Sequence, residues 1–452
     1  MLKPFIMNLP EPRNSDNHHI VLYFQVHQPR RLKAVNFFDI PNGPQYFNDE
    51  LNETIVRRIA EQCYLPANNL LLQYIEKYPD IRITFSLSGV VIEQLQAYAP
   101  EVIESFQRLA RTGSVEFLAE TYYHSLASLI NGDEFEIQVL QHAEKMYELF
   151  GVRPTVFRNT ELIYNDTIGK RVAMMGFRGI FTEGHENILA GRSPHNLYHH
   201  PEMEDFKIFL RNYRLSDDIA FRFMERGTRL TIGQYLTWLN AMPAGENLIN
   251  LAMDYETFGE HQKKETGIFD FLGELLQSLA TSDRYNMVLP SEALGLFESK
   301  TPLSMESYLS WGDLERDISA WLGNDMQKDA FNSLMRLEAD VKNLANEKPL
   351  RNWRYLQTSD HFYYMSVKTD SDGSVHSYFS PFPSSYEAFI NFMNVVTHLT
   401  FRIQTQKNAA QQPDDHDLSS REAERQNVKA STPVWVQNLE AVPQGNIPDA
   451  DS

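Results

Sequence analysis

Seven times between residues 20 and 254, a short β-branched or aromatic run ends in polar residues. The runs are 20–26 (IVLYFQV), 81–87 (IRITFSL), 114–118 (SVEFL), 155–157 (TVF), 178–182 (RGIFT), 207–210 (KIFL) and 247–253 (NLINLAM). Segments 53–78, 91–111, 134–149, 166–175 and 217–226 read as helices, and Gly113 and Gly151 follow two of them as C-caps. Strand–helix units in series specify a parallel sheet with right-handed crossovers. The chemistry-bearing residues His27, Glu120, His124, Glu161, Glu183 and Asp254 fall after strands, not before them. Barrels and open sheets both place their sites at strand C-terminal ends, so strand number alone does not choose between them. No glycine-rich phosphate fingerprint follows any strand, which argues against a nucleotide site.

From about residue 304 the pattern turns helical. Ala330, Leu334, Leu337, Val341 and Leu344 step by four and three, and Phe389, Met393, Val396 and Leu399 repeat the pattern. This reading gives an N-terminal arm at 1–19, a catalytic β/α barrel at 20–303, a helical subdomain completing the cleft at 304–405, and a disordered polar tail at 406–452 carrying Trp435. There is no internal repeat. A hydrophobic fraction of 42% suffices for a core across the 452 residues. The formal charge of −19 argues against nucleic acid and anionic membrane surfaces and is compatible with a neutral, hydroxyl-rich substrate. Cys63 is the one cysteine, so neither an intramolecular disulfide nor a cysteine-based zinc site is expected. The sequence has no apolar run of signal-peptide or membrane-span length, so the expected location is cytoplasmic.

The most informative stretch is 247–262, NLINLAMDYETFGEHQ. An apolar strand here delivers Asp254 and Glu256, one residue apart, to a loop. Upstream, FRNTE (157–161) ends a strand in Glu161. Two such carboxylates suit glycoside chemistry, one attacking the anomeric carbon and one donating a proton. The plainer alternative pairs them with arginines such as Arg158. His27 in HQP reads as a substrate ligand, a metal ligand or a structural residue. His124, beside Tyr122 and Tyr123, reads as a sugar platform or a core cluster. Glu116 points into a barrel or into solvent. His185, His195, His199 and His200 lack metal-site spacing and read as an exposed loop, and DYETFGEH matches no calcium loop. Trp311, Trp321 and Trp353 line a sugar cleft or, on the plainer reading, the core.

Taken in order, VHQP (26–29), GSVEF with TYYHSL (113–126), FRNTE (157–161), MDYETFGEH (253–261) and ERDISAWLGN (315–324) resemble the five regions of the α-amylases of glycoside hydrolase family 57, over roughly residues 20–400. The resemblance implies an incomplete seven-stranded parallel β/α barrel with a C-terminal α-helical subdomain, and a retaining enzyme on α-glucans. It implies Glu161 as nucleophile and Asp254 as general acid/base. His27, Glu116 and His124 would contact sugar, with Asp317, Trp321 and Asp360 as further substrate contacts, and no metal or cofactor is expected. Cleavage of α-1,4 bonds in starch, glycogen or maltodextrins is the leading expectation. A 4-α-glucanotransferase or branching enzyme is its nearest rival, because only the acceptor differs. A metal-dependent polysaccharide deacetylase and a non-catalytic glucan-binding regulator are the other classes considered. Oligomeric state is open.

Overall fold

The computed structural model describes residues 17–35, 43–130, 132–243, 245–299, 301–344, 346–368 and 380–411. Most of the expected arm and tail, including Trp435, lies outside these residues.

The seven expected strands form. They are β1 (His18–Val26), β2 (Ile83–Leu87), β3 (Val115–Phe117), β4 (Val156–Arg158), β5 (Gly179–Glu183), β7 (Met203–Arg211) and β8 (Leu248–Asp254), in the parallel order β3-β2-β1-β8-β7-β5-β4. Two more strands join that the sequence reading missed. β6 (Tyr198–His200) runs antiparallel to β7, and β9 (Tyr285–Met287) runs parallel to the first residues of β1. The two ends of the path meet at one parallel bridge, Ala119 with Phe157, so the half-barrel closes there by a single contact rather than a ladder.

Alternation along the strands builds two cores. Ile20, Leu22, Phe24 and Val26 of β1, with Phe85, Ile249 and Leu251, face outward into an apolar layer under the helices. Val21 and Tyr23, with Val156, Phe181, Phe209 and Ala252, fill the barrel interior. Strands buried on both faces need continuous apolar runs, which is why β1 and β8 read so clearly in the sequence. The side chains two residues beyond the inner set are polar: Gln25, Arg158, Glu183, Arg211 and Asp254, joined by Glu120 beyond Leu118. Strand periodicity puts these six on one interior face, at the C-terminal end. Val288, Ala293 and Leu294 pack into the inner core from beneath, in and next to the helix Pro290–Leu296.

Several helices differ from expectation. The stretch 91–111 is two helices, Gly89–Tyr98 and Pro100–Arg111. Pro100 restricts the preceding residue, and Ala99 sits at φ −148°, breaking the run. The stretch 53–78 is Asp49–Ile59 and Leu65–Lys77, joined by one widened turn at Ala60–Tyr64. The expected helix 217–226 lies at Tyr213–Ala220. Helices Ile232–Asn240 and Ile268–Thr281 form where none was expected. The C-terminal helical region is present. It includes Asp325–Met335, Glu338–Lys342, Glu347–Tyr355 and Ser359–Tyr363. The long helix Ser385–Gln411 carries on past residue 406, where the sequence reading started the tail. Among the described residues no helix is long and apolar enough to cross a membrane.

Candidate active site

The polar interior face opens into a cleft of about 620 Å³. That lies within the range of roughly 300–1,000 Å³ typical of ligand pockets. Glu161 and Asp254 both line it, as do His27, His124, Trp321 and Asp360. Folding therefore brings together six of the eight site residues proposed from sequence.

Glu161 follows β4 in a short turn, Thr160–Leu162. Its φ is 57° and that of Leu162 is 53°, left-handed values that cost a non-glycine residue about 1–3 kcal/mol each. The turn is pinned to hold this shape. Asn159 donates to Ser128 Oγ at 2.9 Å and to the Ile163 carbonyl at 2.8 Å, and Trp311 N–H donates to the Glu161 carbonyl at 3.2 Å. The Glu161 carboxylate then accepts from Trp311 Nε1 at 2.7 Å on one oxygen and from Ser359 Oγ at 2.8 Å on the other. His124 Nε2 lies 3.5 Å away. Burial opposes charge on Glu161, but the His124 hydrogen bond, the His124 charge and Arg158 outweigh it and hold the carboxyl below its ordinary range.

Asp254 ends β8, beside Gln25 of β1. Burial, then the charge of Glu161, pushes it up to about 6, against the pull of Arg158, His124 and Arg211. Two carboxyls on one cleft are thus driven apart in proton affinity. Glu256, expected on the strand with Asp254, instead lies two residues beyond the end of β8 in the turn Tyr255–Thr257. It accepts from Tyr64 OH and from His27 N–H at 3.3 Å, and burial followed by the Asp254 charge raises it to about 8. Tyr64 reaches it from the widened turn after the first helix.

His27 Nε2 donates to the Asp360 carboxylate at 3.0 Å, and its Nδ1 lies 2.7 Å from Ser88 Oγ. Its ring stacks on His124 at 3.8 Å between centroids. Further along the cleft, Arg211 bridges Glu183 at 3.0 Å and Asp217, and Arg316 reaches both acids. These arginines are matched by carboxylates, so the wall they form suits an uncharged ligand.

Two proposed residues are not brought to the cleft. Glu116 does face the barrel interior, but at its floor, where Ser291 donates to it from N–H at 2.9 Å and from Oγ at 2.8 Å. It lies two inner-facing layers below Glu120, and periodicity fixes the face of a strand residue but not its level. Asp317 instead precedes the short helix Ser319–Leu322 and accepts from Ser319 N–H at 2.7 Å. Tyr122 and Tyr123 are core residues. Tyr122 packs over Gly89, where a Cβ would meet its ring at 2.5 Å, and Tyr123 packs edge-on to Tyr355. The histidine-rich stretch is not an exposed loop. His195 is buried against Glu246 at 2.7 Å, and buried His200 lies 2.8 Å from the Asp166 carbonyl. Of the tryptophans, Trp353 is core, whereas Trp311 and Trp321 line the cleft. Sequence reasoning missed the part played by Trp311 and Ser359, whose partner Glu161 is 150 and 198 positions away.

The sequence matches the Glycosyl hydrolase family 57 profile over residues 21–306. A protein from Methanocaldococcus jannaschii, provisionally named an alpha-amylase, is 42% identical across 85% of this chain and 84% of its own. The chain belongs to glycosyl hydrolase family 57. A more distant likeness extends to an alpha-amylase of Pyrococcus horikoshii, 23% identical over 55% of this chain and 38% of that one. Among solved structures, a GH57-type branching enzyme from Pyrococcus horikoshii superposes with a TM-score of 0.61 at 14% identity, covering 95% of this chain and 98% of that one. An alpha-amylase from Thermotoga maritima gives 0.51 at 12%, covering 86% and 96%. At those identities the structures speak for the fold alone. Membership makes this chain a glycosidase of the α-amylase-related kind.

Proposed function

We propose that the protein is a retaining α-glucan hydrolase cleaving α-1,4 bonds by double displacement. The observation that carries this reading is the opposite tuning of Glu161 and Asp254 on one cleft. In the first step the ionised Glu161 carboxylate attacks the anomeric carbon, and the bond to the leaving oxygen breaks as Asp254 gives that oxygen its proton. In the second, Asp254, now a carboxylate, takes a proton from water as the water oxygen displaces Glu161. Two inversions return the α configuration. Trp311 and Ser359 orient the nucleophile, the Asp360 oxygen that His27 does not hold meets a hydroxyl, the stacked rings of His27 and His124 line the cleft beside it, and Trp321 offers an apolar ring to a sugar face.

Incubation with maltoheptaose, with products followed by chromatography and their first-formed anomer by NMR, tests the reading. Shorter α-configured maltooligosaccharides are expected from the wild type and none from Glu161→Gln. Unchanged cleavage by the variant, or β-configured products, would contradict it. Relatives from Thermococcus litoralis and Thermococcus kodakarensis are named 4-alpha-glucanotransferases, at 19% identity each. Products longer than seven sugars in the same assay would favour transfer to a sugar hydroxyl over water.

A further inference from the structure

Glu120 has no part in the chemistry above, yet it is wholly buried beneath the nucleophile. It accepts from His124 Nδ1 at 2.9 Å and from Gln25 Nε2 at 3.1 Å. The other nitrogen of the same imidazole, Nε2, faces Glu161 Oε1 at 3.5 Å. His124 is thus held between two carboxylates. A neutral imidazole has one bare nitrogen, which here would point its lone pair at a carboxylate oxygen. Only the imidazolium satisfies both sides. His27, stacked on it, is arranged otherwise, because a hydroxyl that can donate or accept, Ser88 Oγ, serves its Nδ1 and Asp360 its Nε2, so a neutral ring leaves neither side unsatisfied. Two rings 3.8 Å apart do not readily both carry charge, so one of the pair must be chosen.

We propose that Glu120 is a positioning residue that makes His124, not His27, the charged member of the stacked pair and so aims a cation at the nucleophile Glu161. Its backbone φ of 48° shows that His124 is held in this place at some conformational cost. Burial opposes the charge on His124, but the hydrogen bonds to Glu120 and Glu161 prevail and push it up to about 9. Burial, then the charge of His124, lowers His27. The other groups facing this pair include Arg158 from β4, 4.0 Å from Glu120, His142 from the helix Glu134–Phe150, which accepts from Glu120 N–H, Asp254 from β8, Glu256 from the turn after β8, which accepts from His27 N–H, and His361 from the helix Ser359–Tyr363. Arg158 alone among them is a fixed cation, so loss of the His124 proton would remove the adjustable one.

The inference rests on the glycosidic reading for its consequences but not for its geometry. Two measurements on the full-length protein test it. First, NMR of ring-¹⁵N histidine, with His124 assigned through His124→Gln, should show both His124 nitrogens protonated at pH 7 in the wild type. Second, the kcat/KM profile of Glu120→Gln on maltoheptaose should move bodily to higher pH, because Glu161 and Asp254 both lose a stabilising positive charge. At pH 5 it should keep roughly a tenth or less of wild-type kcat/KM. Glu120→Asp should restore the position of both limbs. A neutral His124 in the wild type overturns the proposal even if no Glu120 variant folds. A Glu120→Gln profile merely scaled down in place also overturns it. If Glu161→Gln remained fully active, the glycosidic reading would fail while the charge state of His124 would still be decided by NMR.

Discussion

At the scale of the residue, the site depends on one carboxylate held in a costly backbone shape and one held against ionisation. Glu161 is gripped by Trp311 Nε1 at 2.7 Å. Trp311→Phe keeps the ring and removes this charge-assisted hydrogen bond, worth about 1.5–3 kcal/mol. The expected loss is roughly 10- to 100-fold in kcat/KM, with circular dichroism unchanged; full activity would show that the bond does not orient the nucleophile. On the mechanism proposed above, Asp254 carries its proton into the first step. The kcat/KM profile should fall on its alkaline side near pH 6, where Asp254 ionises, and on its acid side only below the ordinary carboxylate range, where Glu161 gains a proton. Asp254→Asn should lose roughly 10²- to 10⁴-fold in kcat/KM on maltoheptaose and much less in kcat/KM on a glycosyl fluoride that needs no protonation to depart, while kcat on the fluoride falls because the second step still lacks its base.

At the scale of the element, legibility followed periodicity. β1 and β8 are apolar on both faces, and their position was readable from IVLYFQV and NLINLAM, as was the placing of His27 and Asp254 at their ends, on the cleft. β6 and β9 are three residues each and add to a sheet already specified, so they left no pattern. The sequence left Glu116 open between the barrel interior and solvent, and it could not say that the floor helix Pro290–Leu296 would claim its carboxylate. Trp311 and Ser359 were illegible for a different reason. Their role exists only across contacts between distant segments, and their local sequence follows no motif. The widened turn Ala60–Tyr64 is a device of the same kind, since it brings Tyr64 OH onto Glu256. Gly259 fits against that turn, and a Cβ there would stand 2.0 Å from the Gln62 carbonyl oxygen. Gly259→Ala should therefore cost several-fold in kcat/KM with a lowered Tm, the two falling together; an unchanged Tm would show that the turn gives way freely.

At the scale of the whole molecule, buried charge links fold and pH. Burial raises Glu116 to about 7, above its ordinary 4.5, so the folded state favours its protonated form. That contribution is complete below pH 4.5 and is lost as the pH rises through 7. Glu120 acts in the opposite sense. Its burial is outweighed by His124 and Arg158, which hold it down to about 2, so its contribution is present above 4.5 and lost as the pH falls towards 2. Glu116→Gln should accordingly stabilise the protein at pH 8 by on the order of 1 kcal/mol and do little at pH 4.5. Thermal melts at both pH values check the sign. Arg354, in the helical region, is tied to wholly buried Glu134 at the head of the helix Glu134–Phe150, at 2.8 Å. Arg354→Met leaves that carboxylate with Lys342 at 3.3 Å as its remaining cation, and should destabilise by about 3 kcal/mol in urea unfolding.

The central claim is that Glu161 becomes bonded to the anomeric carbon during turnover. Asp254→Asn incubated with an α-maltosyl fluoride should complete the first step and stall before the second, and mass spectrometry of its peptides should find one maltosyl group on the peptide that contains Glu161. A maltosyl group on any other peptide, or steady turnover to a β-configured product with no adduct, would contradict the account.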